Sequence, residues 1–69
     1  MDKGEFAHKC NLLHQRLNSD FKARHPYAGA KMEKVTDIEY RIGLFDMVRQ
    51  EVYTVWLEKD GGVRYGRLQ

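Results

Sequence analysis

Apolar residues at Phe6, Cys10, Leu13, Leu17 and Phe21 stand 4, 3, 4 and 4 positions apart, the spacing of one stripe along an α-helix. The pattern predicts a helix over about 3–24. Asp2 is placed to cap its start with Glu5 three residues on, and Met1 and Phe6 occupy the positions of a hydrophobic staple. Pro26 pushes His25 out of the helical region and sets the end. A helix of that length spans about 33 Å, enough to lie along a small sheet.

Residues 25–33 (HPYAGAKME) hold the only proline and Gly29, show no steady period, and read as a loop. The period then becomes two. Thr36, Ile38, Tyr40, Ile42 and Leu44 share one side of a strand over about 35–45, with Asp37, Glu39 and Arg41 on the other. Residues 45–50 contain no Gly, Pro or Asn, so a bulged or wide hairpin is expected there. A second strand runs over about 51–58 and closes on Asp60-Gly61-Gly62, a strong hairpin signal that leads to a third strand over 63–68. With Asp60-Gly61 as the loop, Trp56 faces Tyr65 and Thr54 faces Arg67; with Gly61-Gly62, Trp56 faces Arg67. A rival reading makes 45–59 a helix, since Leu44, Val48, Val52 and Val55 also share a helical face, but the density of β-branched and aromatic residues favours a strand.

The stretch Val52-Tyr53-Thr54-Val55-Trp56-Leu57 has high strand propensity and presents apolar or aromatic groups to both sides of the pleat. That is the signature of a strand wanted on both faces. The fold expected is α+β, one domain over 1–69 in the order α-β-β-β, with the helical stripe packed on Ile38, Tyr40, Ile42, Leu44 and one parity of 52–57. The other parity is expected to be covered by a second protein chain, with a homodimer the simplest form. A domain this small buries only roughly 60% of its unfolded surface and usually needs a supplement. One cysteine excludes an internal disulfide and CxxC zinc spacing is absent, which leaves association.

The net charge is +2. Residues 1–25 carry five Lys/Arg against three Asp/Glu, and 26–69 balance at seven against seven, weaker than the basic bias of a dedicated nucleic-acid binder. There is no charged-then-apolar leader and no apolar run near 18 residues, so no membrane contact is expected and a cytoplasmic location is the default.

Catalytic chemistry finds little support. Cys10 and His14 lie one helical turn apart, but His8 projects more than about 100° away and zinc needs at least three converging ligands. As a nucleophilic dyad the pair fails because Cys10 falls in the core stripe, where burial raises a thiol pKa. Asp37 and Glu39 beside Arg41 read as a solvated strand face, not as carboxylates in contrasting environments. Gly61, Gly62 and Gly66 sit between strands and not before a helix, which makes them turn chemistry and not a phosphate loop. One helix on one sheet is not expected to form a pocket of ~300 Å³. No enzyme activity, cofactor, metal or small-molecule substrate is expected.

Partner recognition is the better reading. Tyr53, Val55, Trp56, Arg64, Tyr65 and Arg67 on the last hairpin are the residue types found at protein hot spots. Aromatic–arginine pairs also stabilise hairpins by themselves. Leu12 projects to the polar side of the helix near Lys9 and Arg16, where Leu12 and Arg16 would centre a docking face. Arg24 falls on the apolar stripe and is expected to snorkel at the helix end. The expected function is a small non-enzymatic protein-binding module, acting as adaptor, inhibitor or regulator. The alternative is an RNA- or DNA-binding regulator using the aromatic-basic hairpin and the basic helix face.

Overall fold

The computed structural model describes residues 2–69; the expected staple of Met1 on Phe6 lies outside the described residues. A helix, α1 (Lys3–Arg24), precedes four strands, β1 (Gly29–Thr36), β2 (Glu39–Phe45), β3 (Gln50–Leu57) and β4 (Val63–Arg67). The strands form one antiparallel sheet in chain order, β1-β2-β3-β4, with α1 on one face. The architecture is α+β as expected, with four strands where three were read.

The helix ends fall where the sequence put them. Asp2 is the N-cap, its Oδ1 accepting the Glu5 N–H at 2.7 Å, and the His25 N–H closes the last turn on the Phe21 carbonyl. Phe6, Cys10 and Phe21 are fully buried, and Leu13 and Leu17 pack against them. They meet Ile42, Leu44 and Val55 from the sheet, and the Phe6 ring stands edge-on to Tyr40 at 5.5 Å. Arg24 behaves as expected at the helix end, its guanidinium 5.5 Å from the Phe21 ring centre.

The extra strand arises because the alternation read over 35–45 runs straight through a hairpin. Thr36 pairs with Glu39, leaving Asp37-Ile38 as a two-residue turn. Among the described residues no non-glycine residue has positive φ, so this turn lacks the left-handed conformations of the usual two-residue hairpin. A bulge between Lys34 and Thr36 takes up the mismatch in twist. The turn is tied by Thr36 Oγ1, which accepts the Ile38 N–H, and by Asp37, which pairs with Lys34 at 2.8 Å and with Lys3 of the helix at 3.2 Å. Ile38, expected in the core, is therefore half-exposed at the turn. The segment read as a loop to residue 33 instead enters β1 at Gly29, an edge strand of weak strand formers that turns Lys31, Glu33 and Lys34 to solvent.

The other two turns also have local causes. Between β2 and β3 a four-residue loop, wide as expected, is organised by Asp46, whose Oδ1 accepts the N–H groups of Val48 and Arg49 at 2.8 and 2.6 Å. Residues 50–57 are a strand, which overturns the rival helix over 45–59. Between β3 and β4 neither expected register holds. Glu58 N–H donates to Gly62 O, Gly61 N–H donates to Glu58 O, and Gly61 adopts φ 86°, so Lys59-Asp60-Gly61 form a three-residue loop ending in a left-handed glycine. Trp56 consequently pairs with Arg64, Val55 with Tyr65 and Tyr53 with Arg67.

The placement of α1 over the sheet is asymmetric. Its closest approach is to β1 and β2, where the inward side chains Ala28 and Ala30 are small. Val55 of β3 is still fully buried, but the β4 edge of the same sheet face, with Val63 and Tyr65, is less completely covered.

Candidate partner-binding groove

The three-residue loop decides which hairpin residues share a surface. Successive strand side chains alternate between faces, so a register one residue away from expectation turns every β4 side chain over. On the face away from α1, Trp56 lies between Glu39 and Arg64. The Arg64 guanidinium sits 4.4 Å from the Trp56 ring centre while its Nε donates to Glu58 Oε1 at 2.6 Å. Thr54 is buried on this face and gives its hydroxyl proton to Glu39 at 3.2 Å. Glu33 and Arg41 stand in the same cross-strand row as Thr54. The outward parity of the 52–57 strand is thus Val52, Thr54 and Trp56, interleaved with charged neighbours.

Tyr65 and Arg67 point the other way, to the helix side. Tyr65 lies 6.4 Å, ring to ring, from Tyr53. The Tyr53 hydroxyl donates to Glu51 Oε1 at 3.0 Å, and burial first, with the Glu51 bond adding to it, holds its pKa above the usual phenol value. Val55, expected at a partner surface, is instead wholly buried beneath α1. The six hairpin residues singled out in the sequence therefore divide three ways, with Trp56 and Arg64 outside, Tyr53, Tyr65 and Arg67 on the helix side, and Val55 in the core.

Of the helix-side group, Tyr65 meets the two helix residues that the sequence also singled out. Leu12 and Arg16, with Lys9 and Leu13, form one wall of a groove of about 410 Å³ whose floor is Val63 and Tyr65. The sequence reading allowed no pocket of that size; this one exists because α1 sits off-centre, and it is an open trough along the helix flank. Leu12 and Tyr65, each 49% exposed, both line it. Among the described residues neither Lys9 nor Arg16 takes part in an ion pair. Arg67 donates its Nε–H to the backbone oxygen of Gln69 at 3.2 Å.

Two further clusters escaped the sequence reading. Glu51 is buried to 3% exposure on the helix side, held by the Tyr53 hydroxyl and by Arg24 Nη2 at 3.5 Å. Its place beside apolar Leu44 gave no signal in a strand otherwise read as apolar on both sides. At one end of the molecule Tyr27, Met47 and Val48 are 96%, 99% and 91% exposed on adjoining loops, which His25 Nδ1 and Asp46 Oδ2 join at 2.8 Å. Adjacent Met47 and Val48 in a segment without strand pairing were the available clue.

Burial pushes the Cys10 thiol up to about 11, which leaves it protonated at neutral pH. Among the described residues no group of three or more His, Cys, Asp or Glu side chains converges to hold a metal ion. No described helix is long and apolar enough to cross a membrane. Comparison with known proteins finds no matching family model, no matching curated protein and no matching solved structure.

Proposed function

We propose that the chain is a small non-enzymatic protein-binding module, acting as an adaptor, inhibitor or regulator through the groove between α1 and β4. The observation that carries this reading is the off-centre seat of α1. It leaves Leu12, Val63 and Tyr65 half-exposed around a trough instead of closing them into the core. Exposed apolar surface rimmed by polar residues is a feature of protein interaction sites, and Lys9 and Arg16 rim this groove. Tyr65 and Arg16 are of the types that dominate binding energy at protein interfaces.

Self-association was the simplest source of a second chain for the two-sided β3 strand. It has less to work with than the alternation of 52–57 implied, because Arg64 covers Trp56 and Thr54 is already satisfied by Glu39. An unlike partner is the reading the geometry supports better. The nucleic-acid alternative keeps Tyr65, Arg67, Lys9 and Arg16 on the helix side but loses Trp56 and Arg64, which lie on the opposite face.

Affinity purification from cells that make the protein, comparing the native chain with a Leu12→Asp/Tyr65→Ser variant, tests the reading. The expected result is a protein retained through moderate salt by the native chain and lost by the variant. Recovery of nucleic acid alone, released by salt, would replace it with the alternative function.

A further inference from the structure

The width of the sheet sets what fits beside α1. Four strands place the outer strand axes about 14 Å apart, while a helix with its side chains is about 10 Å across. One helix that sits closest to β1 and β2 and still covers Val55 of β3 leaves the β4 edge of the same face open for a second helix beside it. That open edge has an apolar floor, Val63 and Tyr65, and an apolar wall, Leu12 and Leu13. Lys9 and Arg16 lie one above the other along the wall, and Arg67 extends the floor on the same side. Glu5 and Asp20 stand one helical turn beyond these cations, so positive charge is concentrated at the middle of the trough.

We infer that the groove receives an acidic amphipathic helix of a partner protein, laid along β4 beside α1. This rests on the protein-binding reading above and specifies its partner. Apolar side chains of the incoming helix cover Leu12, Val63 and Tyr65, and its central carboxylates face Lys9, Arg16 and Arg67. β4 has five residues and is about 16 Å long, matched by about three turns of helix. This is the helix-in-groove mode of recognition, in which apolar anchors supply affinity and flanking charge selects the partner. A second copy of this chain is a poor occupant. Its own helix already buries its apolar stripe against its own sheet. Groove against groove would also set Lys9, Arg16 and Arg67 against the same cations, a like-charge contact that disfavours the complex. A single nucleic-acid strand would answer the cations but leave Leu12, Leu13 and Val63 facing a charged backbone.

The test uses the full chain, isotopically labelled, and amide chemical shifts. The first probe is a synthetic peptide of about 15 residues with leucines on one helical face and glutamates flanking them. The others are the same peptide with lysines in place of the glutamates, and an oligouridylate. The expected result is that the glutamate peptide shifts residues around Leu12, Arg16, Val63 and Tyr65 and binds at least about tenfold tighter than the lysine peptide. Tyr65→Ser should abolish these shifts while the rest of the spectrum keeps its native dispersion. Equal binding of both peptides, no binding of either, or shifts confined to the Trp56 face would overturn the acidic-helix assignment. Shifts at the Trp56 face would leave the broader protein-binding reading intact. Oligouridylate shifting the groove while neither peptide binds would overturn both.

Discussion

Arg64 lies over Trp56, 4.4 Å from guanidinium carbon to ring centre, because the turn before β4 has three residues and not two. With two residues, Trp56 would have met Tyr65 or Arg67, and these three would have gathered on one face. The extra residue sends Tyr65 and Arg67 beneath the helix side and leaves Arg64 to cover the tryptophan. A single loop position thus separates a structural pair on one face from a groove on the other.

Gly61 makes that separation possible. Its φ of 86° is a conformation that residues with a Cβ adopt only at a cost. Gly61→Ala should destabilise the protein by about 1 kcal/mol or more, measured by urea unfolding. Gly66 serves as the comparison, since a Cβ there meets nothing within 4 Å and the residue sits mid-strand. Gly66→Ala should be neutral or stabilising by a few tenths to about 1 kcal/mol. Equal losses at both positions would contradict the turn described here.

Trp56 is half-buried under Arg64, whereas Phe6 is fully buried against Tyr40 and the sheet core. Phe6→Ala should cost about 3–5 kcal/mol. Trp56→Ala should cost about 2 kcal/mol, from partial burial and the cation–π contact. Denaturation midpoints at matched m-values give the comparison. A Trp56 loss as large as that of Phe6 would mean that the outer face is covered after all.

These contrasts mark what the sequence made legible. The helix was readable to its ends because Asp2 and Pro26 are local signals with one structural meaning and the 6–21 stripe is a long periodic run. The β1–β2 hairpin was hidden because Thr36, Ile38 and Tyr40 keep period two through a turn with no glycine, proline or asparagine, held by Thr36, Asp37, Lys34 and Lys3. All of those contacts depend on side-chain bonds that periodicity does not register, and the one to Lys3 joins residues distant in sequence. At the candidate site, Leu12 and Arg16 were recognised from helical projection alone. Their meeting with Tyr65 was not, because it depends on a one-residue register and on where α1 rests across the sheet.

Cys10 reports on opening of the core. Burial raises its pKa from 9.0 to about 11 in the folded chain, so the unfolded chain releases the proton first as pH rises. The stabilisation from the protonated, buried thiol is full below about pH 9 and is lost as pH climbs through about 11. At about pH 8 a disulfide reagent such as dithionitrobenzoate should label the native protein only at the rate of opening, and label it rapidly in denaturant. Rapid labelling of the native protein would contradict the packing of α1.

Asp46 should control the loop that presents Met47 and Val48. The Val48 N–H first, then the Arg49 N–H and the nearby His25, hold its carboxyl below the usual carboxylate range against the opposing effect of desolvation. The folded value lies under the unfolded one, so its contribution is present above about pH 4 and disappears as pH falls through the folded value. Hydrogen exchange at the Val48 and Arg49 amides should accelerate relative to the intrinsic rate over that acid range. Asp46→Ala should remove their protection at neutral pH as well. Unchanged protection in the variant would show that the loop is held by something other than this carboxylate.

The most direct measurement is paramagnetic relaxation of side-chain resonances by a neutral gadolinium chelate, recorded on the protein alone. The account predicts strong broadening at Leu12, Val63 and Tyr65, which rim the open groove, and little at Ile42, Leu44 and Val55, which are buried beneath α1. Protection of Val63 and Tyr65 to the level of the core would contradict it, because the groove would then be closed by the chain itself or by a second copy.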